Sequence, residues 1–117
     1  MTLPFSPSIR SADFVFVSGQ ASVDESGAIV NGTFADEMRR SMRNLERVLG
    51  DAGCGWEDVV QVRAYVHDPA DLDAYNAMYR EYFSSPLPAR TTLTNCLGPV
   101  KFEIDAIARV PGAGGSA

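Results

Sequence analysis

Cysteine is scarce in this 117-residue chain, as are the other residues that usually build a metal or nucleophile centre. Cys54 and Cys96 are too few for a disulfide framework and lack the paired spacing of a zinc site, so both are expected as reduced thiols. The single histidine, His67, sits beside Asp68 without a serine or cysteine in a recognisable nucleophile motif, and reads as structural or solvent-exposed. Cys96 has no base next to it and is not taken as a nucleophile. Metal-ligand spacing is missing throughout, so no metal site is expected. No apolar run is long enough to span a bilayer, and Met1-Thr2-Leu3-Pro4 has neither the basic start nor the apolar core of a signal peptide. A cytoplasmic protein without a membrane partner is expected. Basic blocks are missing too: ten Lys and Arg against fifteen Asp and Glu leave a net charge of -5, and the longest basic cluster is Arg39-Arg40. That balance argues against a nucleic-acid partner, whose affinity would come from cations neutralising phosphates.

What remains is ordinary globular composition, 45% hydrophobic and 21% charged. A chain of this length makes one domain, able to bury roughly two-thirds of the surface it would expose unfolded. That domain is expected over residues 1–110, followed by a flexible glycine-rich tail over 111–117. Phe14-Val15-Phe16-Val17, ending at Ser18-Gly19-Gln20, has the pattern of a strand running into a turn, with Ser6 to Arg10 as a candidate partner. Ala28-Ile29-Val30 is a candidate short strand. Thr33 offers an N-cap oxygen to a helix carrying Phe34, Met38, Met42, Leu45 and Leu49 at three- and four-residue steps, and Gly53 ends it. From Val59 to Val66 the chain alternates, placing Val60, Val62, Ala64 and Val66 on one face and Gln61, Arg63, Tyr65 and His67 on the other. Asp68-Pro69 starts a second helix whose inward stripe is Leu72, Tyr75, Met78, Tyr79 and Tyr82. Two strands, Arg90 to Thr94 and Lys101 to Arg109, complete an α+β layer with two helices on one face of a mixed sheet. The uncovered face then carries Phe14, Phe16, Tyr65 and Ile107 beside Ser18, Arg63 and Glu103. It is too apolar for open water, so it is expected to close against other subunits.

Pro88-Ala89-Arg90 and Glu103 stand out as a candidate catalytic pair on neighbouring strands. A guanidinium is a rigid fork of donors matched to a carboxylate, and its entry is stiffened by the preceding proline. An ordinary surface arginine is the plainer alternative. Glu103 alternates with Phe102 and Ile104, so it points away from the helices, where it would act as a general base or proton shuttle. Equally, Glu103 and Asp105 fit a solvated strand face or partners for Arg63 and Arg109. Ser18-Gly19-Gln20 is either a place where backbone approaches an anionic ligand or a plain turn. Asn76, a mediocre helix former in mid-helix, suggests a side-chain task, if only a hydrogen bond to a loop.

Taken in order along nearly the whole chain, Phe14-Val15-Phe16-Val17-Ser18-Gly19-Gln20, Asn44-Leu45, Ala52-Gly53, Asp58-Val59-Val60, Tyr75-Asn76-Ala77-Met78-Tyr79, Tyr82-Phe83, Pro88-Ala89-Arg90 and Phe102-Glu103-Ile104-Asp105-Ala106 resemble the Rid (YjgF/RidA) family. The resemblance implies a chorismate-mutase-like (YjgF-like) α+β fold and a homotrimer with ligand clefts between subunits. It implies cofactor-free hydrolysis of reactive 2-imino or enamine acids to 2-keto acids and ammonia, a detoxifying deaminase activity. Arg90 would hold the substrate carboxylate and Glu103 would position the attacking water. Substrate contacts would come from Phe5, Ser18, Gly19, Asn76 and Thr92. Many deaminases of the family carry tyrosine where this chain has Phe5, which keeps the aromatic wall and omits the hydroxyl. The segment from Thr91 to Phe102 is shorter than usual. A related deaminase or hydrolase of a catabolic pathway and a non-enzymatic trimeric carboxylate-binding protein are the alternatives. An RNA-cleaving role, also linked to the family, fits the acidic charge least.

Overall fold

Thr33 closes a reciprocal box at the start of the longer helix: its Oγ1 accepts from Asp36 N at 3.1 Å, and Asp36 Oδ2 accepts from Thr33 N at 3.3 Å. In the computed structural model, which describes residues 3–112, this helix is α1, Phe34–Asp51. Gly53 ends it at φ 81°, a conformation open to glycine, and a Schellman pair follows: Gly53 N donates to Gly50 O at 3.0 Å and Cys54 N to Leu49 O at 2.8 Å. Asp68 caps a short turn of 3-10 helix at Pro69–Asp71, and α2 proper begins after it, Leu72–Tyr82.

Five strands form one sheet: β1 (Ser8–Ser11), β2 (Phe14–Ala21), β3 (Val59–Val66), β4 (Ala89–Thr94) and β5 (Phe102–Arg109), in the order β1-β2-β5-β3-β4. All pairings are antiparallel except β3 with β4. Both helices cover one face, as expected. Beneath them Val15, Val17, Val62, Ala64, Val66, Phe102, Ile104, Ala106 and Ala108 meet Met38, Met42, Leu45, Tyr75 and Met78, all buried. Each large apolar side chain so buried contributes about 1.5–3 kcal/mol, which is why the alternation of β3 and β5 cannot slip by one residue. Among the described residues no helix is long and apolar enough to cross a membrane.

Three details differ from the sequence reading. A register shift between Val59 and Gln61 puts Val59 in the core and turns Val60 out, 42% exposed, so Val60 does not share the face of Val62. The segment at Ala28-Ile29-Val30 forms one isolated bridge, Val23 with Ile29, instead of a strand. The first strand is Ser8–Ser11, two residues later than its expected start. The expected tail lies, from residue 113 onward, outside the described residues.

Glu37, fully buried on α1, holds the front of the domain together. Its carboxylate accepts from Gly32 N at 3.1 Å, Lys101 N at 2.9 Å and Lys101 Nζ at 3.1 Å. Burial pushes its pKa up, but the donors from Lys101 and Gly32 outweigh burial and hold it below the usual carboxylate range. A carboxyl with a depressed folded pKa contributes stability fully above its unfolded value and loses it as pH falls through the folded value. Glu37→Gln is therefore expected to lower stability by about 2–3 kcal/mol near neutral pH, since Lys101 is half exposed and loses little, and to flatten the acid limb. Urea denaturation near neutrality and in mild acid reads both; equal pH dependence in the two proteins would refute the assignment.

Candidate functional site

Pro88 and Ala89 lead the chain into β4 parallel to β3, with Arg90 opposite Val62 and Thr92 opposite Ala64. Residues opposite one another in a ladder share a face, and Val62 and Ala64 lie under the helices, so Arg90 and Thr92 face α2. There Arg90 lies on two aromatic rings, its guanidinium carbon 5.0 Å from the Tyr75 centroid and 4.8 Å from that of Tyr79. Such contacts are worth about 0.5–2 kcal/mol each and hold the guanidinium in place. Burial pushes the Tyr79 phenol up to about 12 and raises that of Tyr75, so both rings stay neutral and bind the cation through their faces. Tyr75 OH and Thr92 Oγ1 share a hydrogen bond at 3.0 Å. β4 is the sheet edge, so Arg90 remains exposed despite this bed. Half-buried Asn76, with Leu87, Pro88, Tyr79 and Arg90, lines a cavity of about 260 Å³. The structure thus gathers Arg90, Thr92 and Asn76 at one place.

Glu103 belongs to another place. It lies opposite Tyr65 on β3 and Ala21 on β2, on the face that the helices leave open. The sequence reading put Arg90 and Glu103 on neighbouring strands; in the sheet β3 lies between β4 and β5, which are roughly 10 Å apart, and the two side chains point to opposite faces. The pair therefore does not meet within one chain. Sequence order hid this because β4 pairs in parallel across β3 while β5 inserts between β3 and β2.

Around Glu103 the backbone is shaped for a carboxylate. β2 shifts register between Val17 and Gln20, and a Cβ at residue 19 would overlap Glu103 Oε2; only glycine lets the acid lie against this bulge. Ser18 spends its hydroxyl proton on Ser6 O at 2.6 Å, and its N–H on Pro7 O at 3.0 Å. These bonds hold the segment that carries Phe5 beside the bulge, and Phe5 itself is 57% exposed. Ser18 offers an approaching molecule lone pairs only. Asp105 is committed elsewhere, accepting from Arg63 Nε at 2.9 Å and Tyr65 OH at 2.9 Å, which realises the expected Arg63 partnership. Glu103 has no hydrogen-bond donor among the described residues. Its half-burial, and then the charge of Asp105, raise its pKa above the usual carboxylate range, which suits a proton acceptor.

The same open face carries Ile9, Phe14, Phe16 and Leu93, all exposed, with Phe16 at 45% and Leu93 at 48%. Tyr65 and Ile107 lie there too, half-buried. The aromatic bed under Arg90 is the element that sequence reasoning missed. Its signal was Tyr75 and Tyr79 four residues apart, there assigned to the core stripe; only the parallel pairing of β4 shows that a cation ends above them.

Gly19→Ala meets only the far end of a flexible side chain, so the variant is expected to fold as the parent does while its Glu103 carboxylate swings into water. The measurement is carboxyl-carbon NMR: the Glu103 titration should move down toward the ordinary range, and an unchanged midpoint would refute the contact. Tyr79 OH is buried without a hydrogen-bond partner among the described residues. Tyr79→Phe is accordingly expected to be neutral or to stabilise by up to about 1 kcal/mol in urea denaturation, and a loss beyond that would show that the hydroxyl is satisfied.

Residues 1–110 match the model of the family described as Endoribonuclease L-PSP. A RutC family protein of Pyrococcus abyssi is 37% identical over 108 residues, covering 90% of this chain and 85% of its own. A human protein named 2-iminobutanoate/2-iminopropanoate deaminase is 32% identical over 108 residues, covering 90% of this chain and 79% of its own. Among solved structures, a Yersinia pestis protein of the conserved Rid family, described as of unknown function, superposes with a TM-score of 0.86 at 25% identity, over 94% of this chain and 90% of that one.

Proposed function

The chain belongs to the Endoribonuclease L-PSP (YjgF/RidA) family, and from that premise we propose that it hydrolyses 2-imino acids to 2-keto acids and ammonia in clefts between copies of itself. The observation that carries this reading is the opposed placement of a bedded arginine and a half-buried, proton-hungry carboxyl. Neither is a site alone. Burying the apolar open face of one copy against the β4 edge of another brings Arg90 of one chain to Glu103 of the next. A closed ring of three satisfies every such contact, and is the assembly proposed.

In that cleft Arg90 grips the substrate carboxylate with its fork of donors. Phe5 forms an apolar wall, Asn76 and Thr92 flank the arginine, and Ser18 and Gly19 border the water. A protonated imine is already electrophilic, so the protein has chiefly to orient water and handle one proton. Glu103 takes a proton from water as the oxygen bonds to the imine carbon. The resulting carbinolamine nitrogen receives that proton, the carbon–nitrogen bond breaks with its electron pair leaving on ammonia, and the hydroxyl gives its own proton to the freed Glu103 as it collapses to the keto group; Glu103 passes that proton to the departing ammonia as ammonium. No redox change occurs.

Purified protein is expected to speed 2-keto acid release from imines made in situ by a dehydratase acting on serine or threonine. Arg90→Ala and Glu103→Gln should each abolish the acceleration. Activity should rise with pH through the raised Glu103 titration, because the base must be ionised. The two inactive variants, unfolded together in equal amounts and reassembled, should recover roughly a quarter of wild-type activity: three quarters of random rings of three are mixed, and each mixed ring has one intact cleft in three. No recovery would overturn the split site. Lack of acceleration with any of several imines, alongside binding of 2-ketobutyrate, would make the protein a carboxylate binder instead.

A further inference from the structure

Four of the ten Lys and Arg residues fall between positions 39 and 47, within a chain of net charge -5. Arg39 is paired with Glu81 at 2.9 Å and packs on Tyr82. The other three, Arg40, Arg43 and Arg47, recur at three- and four-residue steps along one flank of α1. They line a cleft of about 580 Å³ between α1 and the turn at Asp24, Glu25 and Ser26. None of the three has a carboxylate within ion-pair distance among the described residues. Cations stacked one turn apart repel each other, and with fifteen acids in the chain their lack of close partners is not for want of supply.

The cleft is also built rather than accidental. Asn44 is buried, and its Nδ2 donates to Ala21 O at 2.9 Å and Val23 O at 3.1 Å, pinning the opposite wall to the helix. The Oδ1 of the same residue accepts from Arg47 Nη1 at 3.1 Å, which aims that guanidinium with a neutral partner and leaves its charge uncompensated. Arg40 is half-buried, so its charge is less screened than a free surface arginine. On the facing wall Asp24 turns Oδ1 inward to Ser26 N, Ser26 Oγ and Ala28 N, at 2.9, 2.7 and 3.0 Å. Those bonds hold its pKa low and keep it a turn-former, with Arg40 acting on it only through space. Glu25, also on that wall, is exposed and accepts no hydrogen bond among the described residues.

We propose that this cleft, separate from the Arg90 and Glu103 half-sites, binds a small hydroxylated phosphate ester. The doubly charged phosphate would lie on Arg40, Arg43 and Arg47, whose forks suit its oxygens, and the hydroxyls would donate to Glu25. A cleft bipolar in this way fits a sugar phosphate better than a bare polyanion, which the acid wall would repel. Its volume lies within the roughly 300–1,000 Å³ usual for small-ligand sites.

The test is calorimetric titration of the full chain with ribose 5-phosphate, inorganic phosphate and a short oligoribonucleotide, at low and high salt. Saturable ribose 5-phosphate binding, weakened about tenfold or more by Arg40→Gln with Arg43→Gln and by added salt, and unchanged in Arg90→Ala, is expected. Glu25→Gln should weaken ribose 5-phosphate and spare inorganic phosphate. The arginines are on the surface, and equal circular dichroism spectra will show that the variants fold. No saturable binding at millimolar ligand overturns the proposal. So does binding that Arg90→Ala removes and the α1 variant keeps, or binding of the oligoribonucleotide alone.

Discussion

The buried Glu37 carboxylate is the constraint on which the working parts of this domain depend. It ties three separate pieces of chain, the approach to α1, α1 itself and the start of β5, through Gly32 N, Lys101 N and Lys101 Nζ. Lys101 immediately precedes β5, so the clamp sets where that strand begins. Strand phase follows directly: with Lys101 held, Phe102 drops into the core against Phe34, at 6.0 Å between ring centroids, and Glu103 must turn to the open face. One residue of slip would bury Glu103 under the helices and expose Phe102. The acid that does structural work thereby decides the position of the acid that is free for chemistry.

The sheet order gives that phase its functional meaning. β3 lies between β4 and β5, so its two neighbours deliver opposite charges to opposite faces: Arg90 over the rings of Tyr75 and Tyr79, Glu103 against the bulge at Gly19. Each group is held by packing instead of by the other. A direct ion pair in one chain would depress the Glu103 pKa and occupy the Arg90 donors, spoiling both for a substrate. Separation keeps the carboxyl a base and the guanidinium an open fork.

Much of this was legible in the residues. The N-cap at Thr33, the periodicity of α1 and the alternation of β5 each specify local structure through near neighbours, and the sequence reading placed them well. The two-helix face and its apolar reverse followed from counting what two helices can cover. Val60 was misread because a bulge changes parity without any marker in the local pattern, and valine suits either side. The supposed adjacency of Arg90 and Glu103 failed for a different reason. Strand order is decided by which long-range pairings bury the most surface, and consecutive strands at the end of a chain need not be neighbours. The aromatic bed of Arg90 was invisible for the same cause, since its two halves lie on α2 and β4 and meet only after the parallel pairing forms.

The chemistry and the assembly are linked through the dryness of Glu103. In the free chain this carboxyl is half-buried, and burial already raises its proton affinity. Covering Phe16, Leu93 and their neighbours with another copy would remove more water from the same face, raising it further, until an arriving cation restores the balance. In the proposed cleft that cation is Arg90 of the adjacent chain together with the protonated imine. The empty, dry site would favour the protonated acid, and the bound substrate would itself favour the ionised form needed to activate water. In the proposed assembly subunit contact would then be part of the catalytic setting, because the apolar face that would drive association would also tune the base at its edge.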